Sequence, residues 1–82
     1  MTLTAGVQFG GFRPVSAEIV AVLIEALKDS QADVRDEIAR VLAEVGPTGR
    51  VALGPLREVA QRDPVESVRR TAERAIERLE SQ

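Results

Sequence analysis

The chain has 82 residues, with 11 Lys plus Arg against 13 Asp plus Glu and no His, for a formal net charge of -2. Apolar residues make up 44%, charged residues 29% and aromatics only 2%, the balance of a soluble, helix-leaning domain rather than a disordered chain. Cys, His, Tyr and Trp are absent, which excludes disulfides, thiolate or imidazole metal ligands and most aromatic stacking on bases. From Met1 to Ala17 the only charged side chain is Arg13, and Gly6, Gly10, Gly11 and Pro14 stand among Val7, Phe9 and Phe12. This stretch, residues 1–15, reads as an extended or irregular arm that Pro14 separates from the helical remainder of the chain. Ser16 is a good N-cap for a first helix, in which Ile19, Val20, Leu23, Ala26 and Leu27 recur at spacings of three and four. That helix is predicted to stop around Asp29 and Ser30. A second helix is predicted from Ala32 to Val45, with Val34, Ile38, Val41, Leu42 and Val45 inward, ended by Gly46-Pro47. A third runs from Thr48 to Arg62 with Val51, Ala52, Leu56, Val59 and Ala60 inward, and Gly54-Pro55 is expected to bend it. A fourth starts with Asp63 as cap and Pro64 at its first position and carries Val68, Ala72, Ala75, Ile76 and Leu79.

A shift of 34 residues maps Val34, Ile38, Val41, Leu42 and Val45 onto Val68, Ala72, Ala75, Ile76 and Leu79. The same shift carries Asp29 to Asp63 and Arg35 to Arg69, so one unit is a helix pair written twice. The run from Pro55-Leu56 through Asp63-Pro64 to Val68-Arg69 resembles a HEAT repeat: a proline in the first helix, an aspartate in the turn and Val-Arg opening the second helix. The first copy, from Ala21 through Asp29 to Val34-Arg35, matches the pattern with Ala21 in place of the proline. The stretch from Leu23 to Gly46 is similar to the bacterial HEAT-like repeats also seen in bilin lyases. The resemblance covers roughly Ser16 to Leu79 and implies an all-α fold. Two helix-pair repeats, residues 16–46 and 47–80 of a 16–82 repeat domain, form a short α-solenoid of four helices behind the irregular arm. It implies structural roles for Asp29, Arg35, Pro55, Asp63 and Arg69, with Asp29 paired to Arg35 or to Arg69. An aspartate near a helix start also satisfies free backbone N–H groups.

Two repeats are fewer than the three or so a stack needs to bury its seams, and a chain this short buries only about 60–65% of its unfolded surface. The last helix is polar enough on its outside to serve as an end. The first is not, because Ile19, Val20, Val22, Leu23 and Ile24 spread too widely round the axis for one buried stripe. Val7, Phe9 and Phe12 of the arm, with Val20 and Ile24, are therefore the expected self-association residues of a homodimer. The alternatives are an arm folded back over the first helix, a loose terminus and a hetero-partner.

No nucleophile has a His, Cys or Tyr to activate it. Carboxylates four apart, such as Asp33 with Glu37 and Glu73 with Glu77, read as solvated helix faces. Gly46 to Arg50 lacks the Gly-Lys-Ser/Thr ending of a phosphate loop and reads as a helix stop and restart. No catalytic, cofactor or metal site is expected, nor is a secretory signal, since no basic start precedes an apolar core, and no apolar run approaches about 18 residues. The expected location is cytoplasmic. The function these features favour is a non-catalytic protein-interaction or scaffold module. In solenoids of this kind the second helix of each pair lines the concave side, which groups Arg35, Asp36, Arg40, Glu44, Arg69, Arg70, Glu73, Arg74 and Glu77 as a docking face. An accessory subunit or fragment of a bilin-lyase-like protein is the alternative. Nucleic-acid binding comes second, since Glu66, Glu73, Glu77 and Glu80 neutralise the arginines of the last helix.

Overall fold

The computed structural model describes residues 16–81, and these are α-helical and 3₁₀-helical, with no strand among them. The helices are α1 (Ala17–Ala26), α2 (Ala32–Ala43), a 3₁₀ segment (Gly46–Ala52), α3 (Leu53–Arg62) and α4 (Glu66–Glu80). The fold is all-α, a short solenoid of two helix pairs. The arm and its Val7, Phe9 and Phe12 lie outside the described residues.

Ser16 caps α1 as its sequence dictates: its side-chain oxygen accepts the Ile19 N–H at 3.2 Å. α1 then ends at Ala26, earlier than its apolar pattern, and Leu27 closes it while remaining buried. Gly46 sits just beyond α2 with φ 81°, a left-handed turn that favours glycine. The expected third helix divides there. Gly46 to Ala52 winds as a 3₁₀ helix, with Gly49 wedged under its neighbours: a Cβ there would collide with the Val45 side chain and lie 3.1 Å from Leu79. Pro55 consequently falls in the first turn of α3, where its missing N–H breaks no helical bond, and the expected bend becomes a change of helix type. The tighter winding also turns Val51 outward to 67% exposure, so it leaves the expected core.

α4 also differs from expectation. It starts at Glu66, not at Pro64, and Asp63 is the last residue of the α3 side rather than its cap. The core is built from Val20 and Leu27 of the α1 side, Ala39, Leu42 and Val45, then Ala52, Leu56, Ala72, Ala75 and Leu79. α4 packs on both α2 and α3, while α1 packs on α2 and the 3₁₀ segment. Burial of side chains such as Leu42, Leu56 and Leu79, all fully covered, contributes about 1.5–3 kcal/mol each. Ile19, Val34 and Val41, expected inside, are at least one-third exposed.

Candidate functional site

Two sets of polar residues are organised by this packing: the inter-helix turns and the groove between α2 and α4. The turns repeat bond for bond. In the first, the Asp29 side chain accepts the Gln31 N–H at 2.8 Å, and Arg35 Nη1 donates to the Asp29 carbonyl at 2.9 Å. In the second, 34 residues on, Asp63 accepts the Val65 N–H at 2.9 Å and Arg69 Nη1 donates to the Asp63 carbonyl at 2.6 Å. Each aspartate thus orders its turn two residues ahead, the local bond short polar side chains favour.

The two turns are joined by a single clamp. Arg35 Nε and Nη2 donate to both carboxylate oxygens of Asp63, at 2.6 and 3.0 Å. Both side chains are largely covered, at 12% and 4% exposure. A planar guanidinium on a carboxylate by two parallel bonds is the strongest and most direction-specific of ion pairs. The Arg35 hydrogen bonds hold the Asp63 carboxyl below its ordinary range against the opposing effect of burial, with the Val65 N–H and Arg69 acting in the same direction. The guanidinium of Arg35 is correspondingly held more basic than usual, chiefly by Asp63. The expected pairing is therefore corrected: the carboxylate that meets Arg35 is Asp63 of the second pair, and Asp29 offers Arg35 only its carbonyl. The Asp29 side chain bonds to neither arginine.

Of the nine residues expected to form a docking face, six come together. Arg40, Glu44, Arg74 and Glu77 line a cleft of about 490 Å³ between α2 and α4 with Ala43, Thr71, Ala75, Arg78 and Ser81. Asp36, Arg40, Arg70 and Arg74 line an adjoining one of about 370 Å³ with Glu66, Ser67 and Thr71. Arg35 and Arg69 belong instead to the turns, and Glu73 lines neither cleft. Arg78, which spacing alone did not single out for docking, reaches across to Glu44 at 3.3 Å. That contact joins positions 34 apart, so the repeat register itself carried the signal. Val20, expected on a self-association surface, is fully buried in the core, and Ile24 is packed against it. The exposed large apolar side chains of α1 are Ile19 and Val22.

Within the clefts most charges are paired: Arg40 with Asp36 at 3.0 Å, Arg70 with Glu66 at 2.9 Å and Arg78 with Glu44. Arg74 lines both clefts and meets no carboxylate among the described residues. One oxygen of Asp36, Oδ1, is buried without a hydrogen-bond partner. Among the described residues no group of three or more acidic side chains is placed to hold a metal ion, and no helix is long and apolar enough to cross a membrane.

A family model described as HEAT repeats matches residues 4–77. The match is to HEAT repeats at large. No curated protein and no solved structure matched.

Proposed function

Because the chain belongs to the HEAT-repeat family, we propose that it is a non-catalytic interaction module whose α2–α4 groove receives an acidic segment of a partner protein. Repeats of this family commonly mediate protein interactions or scaffolding and are generally non-catalytic. The observation that carries the reading is Arg74, a guanidinium lining two adjoining clefts with no carboxylate partner among the described residues. A partner carboxylate there forms a charge-assisted bond without first breaking an internal pair. Thr71, common to both clefts, adds a hydroxyl whose proton is given to the Ser67 carbonyl and whose lone pairs accept. Phosphate backbones are poorly served by the same groove. The clefts hold four arginines and four carboxylates in all, so their summed charge, which is what attracts nucleic acid, is nil even though Arg74 itself is unpaired among the described residues.

The test is capture of partners from the native host by the wild-type chain, an Arg40→Glu/Arg70→Glu/Arg74→Glu variant and an Arg57→Glu control outside the groove. Loss of a captured protein in the groove variant alone supports the reading. A partner retained by the groove variant removes it.

A further inference from the structure

Among the described residues the exposed large apolar side chains are Ile19, Val22, Val34, Val41 and Val51. The repeat register gives the first four a common direction. Thirty-four residues on from Val34 and Val41 stand Val68 and Ala75, each 1% exposed. Ala75 lines a cleft with Ala43 of α2, and Val68 continues its stripe one heptad earlier. The first helices register at 36 rather than 34, on the buried pair Val20 and Leu56, which sets Ile19 and Val22 against Pro55 and Glu58. Those two line a groove of about 460 Å³ with Ile24 and Leu27 of the first pair. All four counterparts therefore face the first helix pair. Ile19, Val22, Val34 and Val41 face the place a preceding pair would occupy.

The opposite end of the stack is built differently. Ala39 is fully buried in the core, and its counterpart Glu73 is exposed and lines neither cleft. Charge closes that end. The open end has carboxylates at its margin: Asp29, which lacks the arginine that Asp63 has, and Glu37, the counterpart of the cleft residue Thr71. Two copies meeting through this end would set those carboxylates against each other. A suitable cover is apolar and carries positive charge.

Residues 1–15 have that chemistry. They join directly to Ser16 at the start of α1, hold Val7, Phe9 and Phe12, and have Arg13 as their only charged side chain. Counted back by the same 34 residues, Ala5 and Phe9 correspond in sequence to Ala39 and Ala43. The family match also opens at residue 4, ahead of α1. Fifteen residues reach up to about 50 Å when extended, against the roughly 15 Å length of a ten-residue helix, and the short tether gives a millimolar effective concentration. We propose that residues 1–15 lie across the outer side of the first helix pair in the same chain. They take the place of a preceding repeat, with Phe9 and Phe12 on Ile19, Val22, Val34 and Val41.

Phe9 and Phe12 are the only aromatic residues in the chain, so every side-chain aromatic proton signal belongs to the arm. Nuclear Overhauser contacts from these rings are measured on the full chain in D₂O, beside an isotope-filtered sample mixing labelled and unlabelled copies. Contacts to the methyl groups of Val41 and Ile19 in the uniform sample, absent between labelled and unlabelled copies, are the expected result. Contacts seen between copies assign the face to a second chain and overturn the proposal. Rings without contact to any of the four residues overturn it too.

Discussion

The turns at Asp29 and Asp63 are made of the same bonds in the same order, yet they carry different loads. Both aspartates accept a backbone N–H two residues ahead, and both carbonyls accept an arginine six residues ahead. Only Asp63 receives in addition the two-bond clamp of Arg35. The first turn orders a loop; the second orders a loop and fixes one helix pair against the other. A repeated motif therefore acquires its second role from the neighbour packed on it.

Substituting the two aspartates breaks the comparison most sharply. Asp63→Ala leaves a largely covered guanidinium without its carboxylate and frees the Val65 N–H, a change expected to lower Tm by about 10 °C or more. Asp29→Ala removes one exposed turn bond and is expected to lower it by less than about 5 °C. Thermal unfolding of the two variants, side by side, measures the difference; equal losses would mean that the clamp adds nothing to the turn.

Packing between the pairs offers the next test. Gly49→Ala drives a methyl group into Val45 and toward Leu79 and is expected to cost about 1–3 kcal/mol in urea unfolding. At Gly54 a Cβ meets nothing within 4 Å, so Gly54→Ala is expected to stabilise by up to about 1 kcal/mol through helix propensity. The same sign at both positions would contradict the wedge at Gly49.

Acid sharpens the comparison further. Asp63 has a folded-state pKa below its ordinary value of 3.8, because Arg35 bonds to its charged form. The folded state therefore binds a proton less readily than the unfolded chain. Its stabilisation is fully present above the unfolded pKa and is lost as pH falls through the lower folded one. The stability gap between wild type and Asp63→Asn is expected to be constant near neutrality and to shrink below about pH 4, as tracked by circular dichroism. The smallest effects belong to the arginines outside the clamp. Arg69→Ala loses a half-buried bond to the Asp63 carbonyl and is expected to cost about 1 kcal/mol. Arg78→Ala, whose pair with Glu44 is more than half exposed on both sides, stays within about 0.5 kcal/mol.

Much of this was legible in the residue pattern, and the reasons for the rest are local. Ser16, Gly46 and the three- and four-residue apolar spacings act through bonds to near neighbours, so the chain alone dictates the helices and the 34-residue repeat. Which aspartate meets Arg35 is not dictated that way, because identical turns offer identical partners and only the stacking of the pairs decides between them. The close fit at Gly49 was hidden for a similar reason: Val45 and Leu79 crowd the place of a Cβ, and Leu79 is far away in sequence. Of the residues expected on a docking face, Arg40 and Arg74 come to line the same clefts on facing helices. Spacing also admitted Arg35 and Arg69, whose helix-start positions direct them back to the turns.

The claim that one clamp distinguishes two otherwise equal turns is tested most directly by a pair of double-mutant cycles in urea. One combines Arg35→Gln with Asp63→Asn, the other Arg69→Gln with Asp29→Asn. The account predicts that the first double variant loses clearly less stability than its two single variants together, while the second loses their full sum. Additive losses at Arg35 and Asp63 would contradict it.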